Sequence, residues 1–116
     1  MITEQEITDR LDQTINICPD IPNVTRQSGK VRESYIYPNG TRAIVVTDRI
    51  SAFDFVLGTV PFKGEILNSI SDFWFEEMDK IGIRTHHISS LHPNVSVNKE
   101  AEVLPIEFVV RSYLTG

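Results

Sequence analysis

Five stretches of this chain put charged or hydroxyl side chains where they could act on a small anionic ligand. Gly29-Lys30-Val31-Arg32-Glu33 carries two cations two residues apart, beside a glycine. On a strand, residues two apart share a face, and a glycine lets the backbone approach a ligand closely. Lys30 and Arg32 next to exposed amides would cradle a phosphate; a solvated edge strand uses the same residues. The Gly-Lys-[Ser/Thr] of a Walker A loop is absent. Thr47–Asp54 packs two carboxylates, an arginine and a hydroxyl into one connection. Asp48, Ser51 and Asp54 would meet there if the segment made a helical turn, and would then hold a polar substrate. The alternative is a turn in which Asp and Ser cap backbone amides. Lys63, just before a long helical pattern, could reach an anion at the helix N-terminus or simply face solvent. Pro105-Ile106-Glu107 interrupts an apolar run, and its backbone could bind the edge of a purine. Arg111 suits a bidentate phosphate or carboxylate contact; it would equally serve as a surface residue on a last core strand.

Other residues argue for less. His86 and His87 are adjacent, so on a strand they point to opposite faces. With His92 they lack a cysteine or close carboxylate to complete a metal set. Cys18 has no activating basic neighbour in sequence. Phe73 and Trp74 read as core.

The elements that must position these groups come from local signals. Thr3-Glu4-Gln5-Glu6 is a capping box, and Ile7, Leu11 and Ile15 follow at a spacing of four, so residues 4–17 read as a helix. Pro19 and Pro22 start a linker reaching about Ser28. A strand over 30–37, the turn Pro38-Asn39-Gly40 and a strand over 43–47 make a hairpin, because Asn-Gly accepts positive φ. Residues 55–60 are another strand. Residues 65–81 are the clearest helix, with Ile66, Leu67, Ile70, Phe73, Trp74, Met78 and Ile81 on one stripe and Gly82 as its stop. Thr85–Ile88 reads as a short strand, Ser89–Asn98 as loop, and Glu102–Leu104 with Ile106–Arg111 as a closing strand, or a strand and then a short connector. The class is α+β, with a mainly antiparallel sheet and one long helix.

The 116 residues fit one domain. Sixteen acidic against eleven basic residues, a net charge of −5, argue against a general nucleic-acid binder. There is no apolar run of membrane-spanning length and no signal-peptide pattern. One cysteine points to a reducing compartment, the cytoplasm. The chain stops directly on Val-Val-Arg-Ser-Tyr-Leu-Thr-Gly, which suggests the N-terminal part of a longer protein.

Taken in order, Gly29–Arg32, Thr47–Asp54 with the strand to Gly58, Lys63-Gly64-Glu65, Ser71-x-Phe73-Trp74-Phe75 and Val103–Gly116 resemble the N-terminal part of the SAICAR synthetase family. The match runs over about residues 28–116, with Ser112 where the family often has glycine. Residues 1–27 would be a helix and linker, and 28–116 an ATP-binding lobe similar to the N-terminal lobe of protein-kinase-like folds. The resemblance implies a ligase of purine biosynthesis. It would join L-aspartate to 5-amino-1-(5-phosphoribosyl)imidazole-4-carboxylate (CAIR) at the expense of ATP. It places Gly29, Lys30 and Arg32 over the ATP phosphates and the Pro105, Ile106 and Glu107 backbone on adenine. Asp48, Ser51, Asp54 and Lys63 line the substrate side, and Arg111 meets substrate phosphate or carboxylate. Mg²⁺ ligands would come mainly from a C-terminal half that these residues do not contain. No catalytic residue is assigned in this half. The sequence leaves the oligomeric state open, a homo-oligomer included. A stand-alone nucleotide-binding module without ligase activity is the alternative reading, and a non-enzymatic interaction domain a further one.

Overall fold

The computed structural model describes residues 3–114. Seven strands and two helices follow in order: α1 (Glu4–Asp9), β1 (Thr25–Ser28), β2 (Arg32–Ile36), β3 (Thr41–Val46), β4 (Arg49–Ala52), β5 (Phe55–Thr59), α2 (Lys63–Lys80), β6 (His87–His92) and β7 (Val95–Lys99). Five strands form an antiparallel sheet in the order β1-β2-β3-β7-β6, and β4 and β5 pair as a separate hairpin. The expected α+β class is what the chain adopts.

The local signals act where expected. The Thr3–Glu6 capping box starts α1. Gly40, at φ 79°, turns the β2–β3 hairpin, and Asn39 Oδ1 accepts from the Thr41 amide at 3.1 Å. Gly82, at φ 76°, follows the end of α2. α1 is shorter than its apolar spacing suggests, because the chain beyond Arg10 is used elsewhere. Ile15 exchanges backbone and side-chain bonds with Asp48 and packs with Val24 against Cys18, Tyr35 and Ala43. This N-terminal segment covers one face of the sheet, where the small apolar core lies.

The other face carries α2. α2 turns Gly64 and Asn68 to the sheet, and Ser96 and Asn98 of β7 are buried beneath it. Most of the apolar stripe points outward: Phe73 is 53% and Trp74 57% exposed, their rings edge to face at 5.3 Å. They are not core in this chain.

Three further expectations are corrected. The linker before Ser28 ends in β1, a fully exposed edge strand held by backbone pairing with β2. Residues 89–98 are not loop but most of the β6–β7 hairpin, with Pro93 in its turn; bulged pairing and a polar inner face hid it. Residues 101–114 form no strand, since nothing described pairs with them, and their side chains are exposed.

Candidate nucleotide site

The connections around the sheet are pinned by a polar network. Asp48, 3% exposed, accepts from the Ile15 amide at 2.7 Å and from the Gly64 amide at 2.8 Å. Phe62, the residue before α2, has no side-chain cap to offer. The Asp48 carboxylate therefore caps α2 from a distance and places negative charge at its positive end. The Thr47 hydroxyl donates to Val31 O at 2.7 Å. Arg49 donates to Gly29 O at 3.0 Å and to Glu33 at 2.7 Å. Arg49 thus locks the Gly29–Val31 turn to the sheet, a role its sequence context did not reveal.

Gly29 and Lys30 lie in the turn between β1 and β2 rather than on the strand itself. The Gly29 amide donates to Arg32 O at 2.8 Å. Lys30 reaches across to Asp54, and the two form an ion pair. That hydrogen bond, with the ammonium charge, holds the Asp54 carboxyl below the usual carboxylate range. Asp48, Ser51 and Asp54 do not converge as a helical turn would make them. Ser51 sits in β4, and Phe53 and Asp54, at φ 48° and 70°, make the tight turn to β5. Asp48 is buried in its capping role while Asp54 stands in solvent.

What the fold does assemble is a cleft of about 410 Å³ between α2 and the sheet. Arg32 from β2 and Lys63 from the first turn of α2 both line it. So two cations from different sequence stretches share one space. Val31, Ile44, Val46, Leu67 and Phe75 supply apolar lining, and Asn68, Ser71, His86, Ser96 and Asn98 polar lining. The last five were missed. For Ser96 and Asn98 the visible signal was the period-two run Asn94, Ser96, Asn98, all buried. His86 and His87 flank Phe75, edge-on and stacked. His87 also lies 3.5 Å from Asp72. Pro105, Ile106, Glu107 and Arg111 lie in the exposed 101–114 segment and do not line the cleft. The arrangement can take a flat, largely apolar body with an anionic end.

The family profile described as SAICAR synthetase matches residues 25–116. The chain is 43% identical over 97 residues to phosphoribosylaminoimidazole-succinocarboxamide synthase of Legionella pneumophila (strain Paris), covering 83% of this chain and 30% of that one. It is 39% identical over 118 residues to the chloroplastic synthase of Vigna aconitifolia, covering 100% of this chain and 33% of the relative. Among solved structures it superposes on SAICAR-synthase from Saccharomyces cerevisiae complexed with SAICAR. The TM-score is 0.76 and the identity 27%, over 88% of this chain and 42% of that one. The chain thus spans about a third of the length of the curated relatives it matches. With the profile covering most of its length and 88% of it superposing on a solved SAICAR-synthase, the chain belongs to the SAICAR synthetase family.

Proposed function

We propose that this chain is the nucleotide-binding lobe of an ATP-dependent ligase that joins L-aspartate to CAIR, giving SAICAR, ADP and phosphate. The carrying observation is the cleft that brings Arg32 and Lys63 together over an apolar lining. Its size suits a nucleotide, since ligand clefts run from roughly 300 to 1,000 Å³. The chemistry needs such a lobe because a carboxylate is a poor acyl donor. Transfer of the terminal phosphoryl group of ATP to the CAIR carboxylate makes an acyl phosphate and ADP. The aspartate amine then attacks the carbonyl, and phosphate leaves. Catalysis of this kind is mostly positioning and charge neutralisation.

In this reading Arg32 and Lys63 neutralise phosphate oxygens, and the Gly29 turn, with Lys30, closes over them. The Pro105–Glu107 backbone would meet the base and Arg111 the CAIR phosphate or carboxylate, as the family resemblance implies. Ser51 and Asp54 fall to the substrate side, Asp54 holding Lys30 until ligand arrives. Asp48 is reassigned from substrate contact to capping α2, because both its oxygens are engaged. Mg²⁺ would neutralise phosphate charge in such a reaction. Among the described residues no group of three His, Cys, Asp or Glu side chains could hold a metal ion. No helix among the described residues is long and apolar enough to cross a membrane. A reducing compartment suits the single cysteine, Cys18, and we place the chain in the cytoplasm.

The test is ADP release by a longer protein carrying this region, with Mg²⁺-ATP, CAIR and aspartate. Release that needs both CAIR and aspartate supports the ligase. ATP binding without release, from folded protein, would instead favour a nucleotide-binding module. Lys30→Ala should raise the Michaelis constant for ATP; unchanged ATP kinetics would remove Lys30 from the phosphate site.

A further inference from the structure

Lys63 enters the cleft from a helix start that is held from outside it. Phe62, the residue before Lys63, has φ 63°, a left-handed conformation that crowds any residue with a Cβ. Such a residue persists only where its surroundings fix it. The N-terminal segment supplies the fixing group. The Arg10 guanidinium lies 4.6 Å from the centre of the Phe62 ring and donates to Glu65 Oε2 at 2.7 Å. One side chain thus grips the residue before Lys63 by stacking and the second residue after it by charge. Further along the same segment, the Ile15 amide donates to Asp48, which in turn accepts from the Gly64 amide. Arg10 does not line the cleft, and it lies before the residues that the family profile matches. Its side chain is 40% exposed. Exposed ion pairs add little to stability, so stability alone is a weak account of this grip.

We propose that Arg10 is a positioning residue for Lys63: by fixing Phe62 and Glu65 on either side of it, Arg10 aims the Lys63 ammonium at ligand phosphate. This rests on the reading of Lys63 as a phosphate contact given above. Lysine is a point charge on a flexible stem, so where its ammonium reaches depends on where its backbone is held. Phe62 offers α2 no side-chain cap of its own. Without Arg10 it is free to leave the left-handed region, and the first turn of α2 then sets out in another direction. An ammonium displaced by about 1 Å loses most of a charge-assisted hydrogen bond, since such bonds hold only near 2.7–2.9 Å.

The test is calorimetric titration of the chain with ATP, comparing wild type with Lys63→Ala, Arg10→Ala and the double variant, each shown folded by circular dichroism. Lys63→Ala should bind at least about tenfold more weakly, the loss of one charged hydrogen bond. Arg10→Ala should bind about three- to tenfold more weakly although it lies outside the cleft. The double variant should match Lys63→Ala within about twofold, because Arg10 acts through Lys63. Glu65→Ala supplies the sign. Removing a negative charge would by itself tighten the binding of an anion, whereas loosening the helix start should weaken it about threefold. Three results would each overturn the Arg10 assignment and leave Lys63 as a phosphate contact: wild-type binding by Arg10→Ala, a double variant weaker than Lys63→Ala by the full Arg10 factor, or Glu65→Ala binding as tightly as wild type or tighter. No loss in Lys63→Ala, or no ATP binding by folded wild-type chain, would overturn the phosphate reading and this assignment with it. If Arg10→Ala does not fold, Glu65→Ala decides alone.

Discussion

Gly64→Ala is the substitution that tests most of this architecture at once. Gly64 is the second residue of α2 and is buried where the helix starts against the sheet. A Cβ added there would lie 2.2 Å from Val46 O, 2.5 Å from Asn94 Nδ2 and 3.0 Å from Thr47 O. The closest atom is backbone at the end of β3, so no rotamer change relieves it. The first turn of α2 must retreat by about 1 Å to restore ordinary contact. That retreat stretches the 2.8 Å bond from the Gly64 amide to Asp48. Overpacking costs about 1–3 kcal/mol, and a weakened bond to a charged group about 1.5–3 kcal/mol. Helix propensity returns about 1 kcal/mol for Ala over Gly. We therefore expect a net loss of about 3 kcal/mol. In urea, with a slope of about 2 kcal/mol per molar, the midpoint should fall by about 1.5 M. Circular dichroism during urea titration of the chain reads this directly. Gly82→Ala is the control: nothing lies within 4 Å of an added Cβ, but φ is +76°, so it should lose only about 1–2 kcal/mol from backbone strain. A Gly64→Ala midpoint equal to or above wild type would refute the close approach of α2 to β3, and with it the shape of the cleft.

Asp48→Asn should cost about 2–3 kcal/mol, because one of its two amide partners would then face an N–H donor; amide exchange at Ile15 and Gly64 should quicken, and unchanged exchange at both would contradict the capping role. Replacing Phe73 and Trp74 together by serine should change stability by less than about 1 kcal/mol, against about 3–5 kcal/mol for a truly buried aromatic. Light scattering should show less self-association in that variant, since the pair lies in an exposed apolar stripe. Stability should also fall in alkali. Burial pushes the Cys18 thiol above its ordinary 9.0 and the Tyr35 phenol above its ordinary 10.0. The folded chain then holds both protons more tightly than the unfolded one, so the contribution is complete below about pH 9 and is lost as pH rises through the folded values. Cys18→Ala should flatten the first part of that decline in thermal melts taken from pH 7 to 11; an identical decline would rule out the thiol.

Features whose physics is local could be read from the residues alone. The Thr3–Glu6 box, the Asn39-Gly40 turn and the Gly82 stop each settle a few backbone angles through neighbours within four residues, and they were legible. The chemistry-bearing stretches were legible too, as were the α+β class and the family resemblance. Tertiary structure alone decided which of those residues meet. Arg32 and Lys63 are thirty-one positions apart and share a cleft only because α2 crosses the sheet; Asp48 became a helix cap because Gly64 lies beside it. The apolar stripe of α2 was read correctly as a stripe and wrongly as core, since periodicity says which residues share a face but not which face turns inward. Here α2 buries Gly64 and Asn68 against the sheet, above Ser96 and Asn98 of β7. For the same reason β1 and the polar β6–β7 hairpin escaped notice: backbone pairing with distant strands holds them, and no alternation of apolar side chains announces it.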